Sequence, residues 1–208
     1  MIYETLVALS TISILSINSL FGAVASEKIL ATHAFSLEKR YYPVQKENIL
    51  LNLAYMDNKV TGRDGLNWDE VLKPQTYSFR LNPEEQFAFH DDVLPEYTNV
   101  VKTTNAHFNA GEGFTNAGYM YGDGVCHLAS LIYWVALDAG LETEAPTNHN
   151  FMAIPEIDKK YGVSIYSNPD RKGQARQNLY ITNNKENPVE FQFNYNGDKL
   201  EVKVITPF

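Results

Sequence analysis

The chain has a single cysteine among 208 residues, and two tryptophans. It has no run of lysine or arginine, no internal repeat and no low-complexity tract. Each absence excludes something. One thiol cannot close an intramolecular disulfide, so outside the cytosol it must be buried, intermolecularly paired or reactive. Without clustered basic side chains there is no groove to neutralise phosphates, and with a formal net charge of -8 nucleic acid is not an expected partner. No CxxC or HxxxH spacing is present, so neither a metal nor a cofactor is expected; zinc held by Cys126, His127, His149 and Asp158 is a minor alternative. Carboxylate pairs such as Glu84-Glu85 and Asp91-Asp92 read as solvated loop charges, and nothing singles out a glycosidase pair. What is plentiful is apolar and aromatic: 44% hydrophobic, with 13 tyrosines, enough for one ordinary core.

The first 25 residues stand apart. Leu6 to Ala25 carries no charge, and Ala23-Val24-Ala25 gives a small-x-small pattern before Ser26-Glu27-Lys28. This is the form of a signal-peptide core with its cleavage site, or of a retained anchor. The segment before it, Met1 to Thr5, has Glu4 and no basic residue, and a buried core helix is the alternative. Residues 1–25 are therefore assigned as signal peptide or membrane anchor, and 26–208 as one domain. Any membrane contact would run through residues 1–25, and the protein is expected to be exported, extracellular or anchored at the cell envelope.

Along the domain, residues 26–47 show no clear period. Ile49, Leu50, Leu53 and Met56 recur at helical spacing, with Asn58 as a stop. Thr61 to Val71 reads as a polar loop, and Tyr77, Phe79 and Leu81 alternate as in a half-buried strand. Residues 82–118 are loop-rich, the composition of a binding surface or lid. Val125, Leu128, Ala129, Ile132, Val135, Ala136 and Ala139 define an apolar helix that stops at Gly140. Phe151–Ile154, Gly162–Tyr166 and Leu179–Thr182 are short strand candidates. Two alternating runs around Asn196-Gly197 form a C-terminal hairpin. The class is α+β: helices first, among them a Cys-bearing buried helix, packed on an antiparallel sheet that ends in the hairpin.

Cys126 stands in the first turn of the apolar helix, after Gly122, Asp123 and Gly124. Unpaired N–H groups and the positive end of the helix dipole favour a thiolate there. The glycines clear an approach by which a substrate carbonyl could reach the Cys126 N–H, an oxyanion site. Cys126, Ser130, Tyr133 and Leu137 form a stripe flanking the buried face. His127 points away from the thiol on the helix, whereas His149, preceded by Asn148, begins a strand candidate after a connection long enough to fold back. Asp158 follows, with Asp170 and Asn178 further on, as groups to orient an imidazole. Helix-borne Cys, strand-borne His and then an acid is the chain order of transglutaminase-like thiol enzymes, and a papain-like arrangement shares that logic. The competing reading is that Cys126 is a small buried hydrophobe.

These residues also resemble a known family. Gly122, Gly124, Val125, Cys126, Leu131, Tyr133, Ala136, Ala139, Gly140, Leu141 and Glu142 match the signature of the VanW-like family. The resemblance continues through the helix of Glu47–Asn58, the strand of Val71–Phe79, Asn148-His149 and Leu179–Phe193, over roughly residues 30–205 in order. Asp123 replaces a glycine, His127 a glutamine and Asn150 a serine of the family pattern. The family is named from accessory genes beside glycopeptide-resistance (vancomycin) clusters. The resemblance implies an envelope setting and makes the Gly-rich, Cys and His constellation a family feature. The resulting expectation is a thiol hydrolase or acyl transferase acting on an acyl or amide bond of peptidoglycan peptide or of an envelope protein. The alternative is a non-catalytic module that binds such a partner.

Overall fold

The computed structural model describes residues 27–118, 122–168, 170–171 and 173–207. The segment read as signal peptide or anchor lies outside them. The elements run β1 (Glu27–Ser36), α1 (Pro43–Met56), α2 (Trp68–Val71), β2 (Gln75–Leu81), β3 (Gln86–Ala88), β4 (Val100–Lys102), α3 (Val125–Asp138), β5 (Glu142–Glu144), β6 (Tyr180–Thr182), β7 (Val189–Tyr195) and β8 (Lys199–Pro207). Three single 3-10 turns, Arg63–Gly65, Ala110–Glu112 and Lys159–Tyr161, lie in the connections.

Strands β1, β8, β7 and β2 form one sheet in that order, antiparallel throughout. Strands β4, β3, β6 and β5 form the second, antiparallel except for β3 and β4. The two meet through aromatic rings: Phe79 of β2 lies 5.0 Å from Phe87 of β3 and 4.8 Å from Phe191 of β7. The expected alternation holds in β2 and β7, where Tyr77, Phe79, Leu81, Val189, Phe191, Phe193 and Tyr195 are buried. The hairpin turn lies one residue further along than Asn196-Gly197 suggests. Asn196 N–H donates to the Lys199 carbonyl, so Gly197 and Asp198 are the central pair, with left-handed φ at Gly197.

From Asn48 to Met56 every residue of α1 is buried, so this part of the helix is enclosed on all sides, whereas nearer its start it carries Lys46 and Glu47. Pro43 occupies its first position, and the Gln45 side chain accepts from the Tyr42 N–H. Asn58, left-handed at φ 58°, follows its last turn as expected. α3 packs on α1, β1, β5 and β8, with Leu128, Ala129, Leu131, Ile132, Val135 and Ala136 fully buried. No described helix is long and apolar enough to cross a membrane.

The structure is α+β, but the order of elements differs from helices followed by strands. A ten-residue strand precedes α1. Its pattern is hard to read because it lies at a sheet edge and its register shifts between Ile29 and Ala31. Trp68–Val71 is a short helix inside the expected loop. Phe151–Ile154 is not a strand: Phe151 and Met152 are exposed, and only Ile154 makes an isolated bridge. Gly162–Tyr166 makes a single bridge, Asn148 with Val163, because the Val163 and Ile165 N–H groups turn to side chains of α3.

Candidate functional site

A cavity of about 1000 Å³ opens at the start of α3. Its walls come from the start of α1 (Tyr42, Gln45), the 108–111 loop, Gly122–His127, His149 with Phe151 and Met152, and residues 165–168 with Asp170. Part of the loop-rich region, Phe108–Gly111 and Ala117, therefore lines the cavity. Of the residues singled out in the sequence, Cys126, His127, His149, Gly122, Asp123, Gly124 and Asp170 line this cavity, whereas Ser130, Tyr133, Asn148, Asp158 and Asn178 do not.

Both glycines are required by the local backbone. Gly122 (φ 81°) and Gly124 (φ 98°) are left-handed. A Cβ at Gly122 would stand 2.8 Å from the Phe108 Cβ, and one at Gly124 would stand 2.6 Å from the Gln45 carbonyl oxygen. They clear room for α1 and for Phe108 as well as for the cavity. Asp123 turns its carboxylate to the Ala117 N–H. Its carbonyl accepts from Asn48 Nδ2, which also donates to the Thr115 carbonyl while Asn48 Oδ1 accepts from the Thr115 N–H. One fully buried amide on α1 thus fastens both arms of the loop that delivers Cys126. Asn48→Ala is expected to lower unfolding free energy by about 2–3 kcal/mol, since three backbone groups lose their partner. Urea denaturation checks this, and a loss well under 1 kcal/mol would contradict the fastening.

At the start of α3 the carbonyls of Gly122 and Gly124 accept from Val125, His127 and Leu128. Among the described residues no carbonyl accepts from the Cys126 N–H. The thiol is half-buried and meets the backbone of Ile165, accepting from its N–H at 3.4 Å and donating to its carbonyl at 3.6 Å. Ser130, fully buried, continues this seam: its hydroxyl donates to the Cys126 carbonyl and accepts from the Val163 N–H. Burial pushes the Cys126 thiol up to about 11, against the help of the Ile165 and Cys126 N–H groups. The thiolate expected from the helix start is therefore absent at rest, because desolvation of the sulfur outweighs the helix terminus.

The same segment positions His149. Ser164 N–H donates to the Thr147 carbonyl and His149 N–H to the Gly162 carbonyl, so 162–166 lies between α3 and the histidine. His149 Nδ1 meets the Met152 carbonyl at 3.1 Å. A carbonyl only accepts, so Nδ1 carries the proton and Nε2 keeps its lone pair. Burial holds His149 below the usual histidine range. The orienting contact expected of Asp158 is made here by the Met152 carbonyl; the Asp158 carboxylate instead accepts from the Lys160 N–H at the 159–161 turn. No hydrogen bond joins the Cys126 sulfur to His149, since both sulfur contacts go to Ile165.

His127, a cleft candidate that the sequence turns away from the thiol, is buried, with 3% of its surface exposed. Arg40 Nη1 approaches its Nδ1 at 3.3 Å, and its ring stands 6.3 Å from that of His149, edge to face. Burial first, then Arg40 and His149, push it down to about 3. Tyr133 sits half-buried on α3 and Asn148 is exposed, its amide on the Lys159 carbonyl. Asn178 is buried away from the cavity, on His90 and Asp92. Arg40, Gln45, Asn48, Met152 and Ile165 were not marked by the sequence. The signal that could have found Asn48 is an asparagine at the head of the apolar run Ile49 to Tyr55, repeated four residues on at Asn52. Among the described residues no group of three His, Cys, Asp or Glu is placed to hold a metal ion.

No curated protein and no solved structure matches the chain. The model of one family does, described as VanW like protein, over residues 75–205. That span contains Cys126, His149 and the segment that joins them, and it is more than half of the chain: the protein belongs to the VanW family.

Proposed function

We propose that the chain is a cell-envelope thiol enzyme that attacks an acyl or amide carbonyl of peptidoglycan peptide or of a protein. The observation that carries the reading is that Cys126 and a histidine with a free Nε2 line one cavity at a helix start. With the thiol near 11 and the imidazole below its ordinary value, the resting pair is neutral. His149 would then act as a general base, taking the proton as sulfur attacks, rather than as half of a standing ion pair. Sulfur releases Ile165, bonds to the carbonyl carbon and passes its proton to His149 Nε2. The oxyanion meets the Cys126 N–H. The C–N bond breaks as imidazolium protonates the leaving amine, and water or a second amine then cleaves the thioester. The apolar run Leu6–Ala25 and the family resemblance support the envelope setting.

Cys126→Ala is expected to lower turnover by about a thousandfold or more, read by mass spectrometry of fragments from purified cell wall. Activity surviving in that variant overturns the reading. Alkylation by iodoacetamide is expected to be slow at pH 7 and to rise about tenfold per pH unit towards 11, because the thiolate is the nucleophile. The Cys126–Ile165 contacts favour a second reading, a binding module whose thiol is a fastener. Under it, Cys126→Ala binds wall fragments undiminished and neither protein releases product.

A further inference from the structure

We propose that His127, fixed by Arg40, is a permanent hydrogen-bond donor that engages a peptide carbonyl oxygen in the cavity. The proposal rests on the cavity being the binding site, but not on Cys126 reacting.

The argument begins at Arg40, a guanidinium with no more than 8% of its residue surface exposed. Its Nε donates to the Ser36 carbonyl at 3.0 Å, and its Nη2 to the Pro155 carbonyl at 3.2 Å and to Glu156 Oε2 at 3.3 Å. It stands 4.3 Å over the Phe35 ring. These contacts leave Nη1 aimed at His127 Nδ1. Guanidinium has no acceptor, so Nδ1 must present its lone pair and Nε2 must carry the proton. His149 has the opposite form, because its Nδ1 faces a carbonyl. The two perpendicular rings therefore bring one donor and one acceptor to the same cavity.

His127 Nε2 has no acceptor among the described residues, yet it is not among their sealed, unpartnered buried polar atoms. The residue lines the cavity, which is where an acceptor for this N–H would sit. The positive charge behind the ring strengthens this N–H as a donor and repels amines and metal ions from it. What fits is an oxygen acceptor. Asp123 and Asp170 are the charged groups among the described lining residues, so a neutral carbonyl is favoured over a carboxylate.

The test uses the full chain, labelled with 15N-histidine and carrying Cys126→Ala so that chemistry is absent. The probes are N-acetylglycinamide and N-acetylglycine. His127 Nδ1 is expected at the shift of an unprotonated ring nitrogen and Nε2 at that of a protonated one. The Nε2 proton should move downfield with the amide and less with the acid. His127→Phe is expected to weaken amide binding about fivefold, the worth of one hydrogen bond, and His127→Gln, which keeps an N–H, to weaken it less. A protonated Nδ1 overturns the proposal even if a variant fails to fold. Movement of His149 resonances without His127 overturns the donor while leaving the cavity as the site. Silence of every cavity resonance overturns both. If the donor behaves as expected while intact protein releases nothing from cell wall, it is the thiol-enzyme reading that falls.

Discussion

Gly124→Ala is expected to lower unfolding free energy by about 3–5 kcal/mol, most of the stability of an ordinary domain. Two costs combine. Gly124 adopts φ 98°, where an L side chain is strained by about 1–3 kcal/mol. The added methyl would stand 2.6 Å from the Gln45 carbonyl oxygen and 2.9 Å from its Cα, and backbone atoms at the start of α1 cannot swing aside as a flexible side chain can. Relief requires α1 and α3 to part at the mouth of the cavity, so any variant that remains folded should also lose ligand binding. Gly62→Ala is the control: φ is 170°, and nothing lies within 4 Å of its Cβ position, so a change within about 0.5 kcal/mol is expected. Equilibrium denaturation followed by circular dichroism compares the two. A Gly124→Ala protein within 1 kcal/mol of wild type would mean that the α1–α3 approach is looser than described.

That approach also explains what the sequence made legible and what it left hidden. Periodicity reports what one element does with its own faces. Tyr77, Phe79 and Leu81 therefore announced β2, the runs beside Asn196-Gly197 announced the hairpin, and the apolar repeat from Val125 announced α3. The 162–166 segment failed as a strand because Val163 and Ile165 give their N–H groups to Ser130 and Cys126 on a helix, a pairing without a sequence period. The site divides in the same way. Residues recognisable by chemical type, Cys126, His127 and His149, were found and do share a cavity. The groups that set their protonation were missed. Two of these are backbone carbonyls or amides, on Met152 and Ile165, which residue identity does not encode. The third, Arg40, lies 87 positions from His127 and meets it only because β1 returns the chain to α3. Asp158, chosen because an acid often orients a histidine, turns its carboxylate to the 159–161 turn, and a carbonyl holds His149.

Acid is expected to unfold this protein through its histidines, and His127 should dominate. Folding moves His127 from about 6.5 to about 3, so the folded state disfavours its proton. A lowered histidine contributes no penalty above the unfolded value, where both states are neutral. Below it the unfolded chain binds the extra proton, and stability falls as pH drops from 6.5 towards 3. A shift of that size amounts to about 4–5 kcal/mol by the bottom of the window, at a slope of about 1.4 kcal/mol per pH unit. His90 and His149, also lowered by burial, act in the same direction. His107 acts oppositely: burial lowers it, but Glu112 and Asp91 outweigh that and raise it, so its contribution is full below 6.5 and fades as pH rises. Glu156, held low by the Ser36 N–H, Lys39 and Arg40 against burial, adds a further loss below about 4.5. The difference between wild type and His127→Gln isolates the one group. Glutamine keeps an amide for Arg40 and cannot titrate, so between pH 6 and 4 its unfolding free energy should fall less steeply, by about 1.4 kcal/mol per pH unit. Parallel pH profiles for the two proteins would mean that His127 is protonated in the folded state, and the fixed tautomer on which its donor role depends would be lost with it.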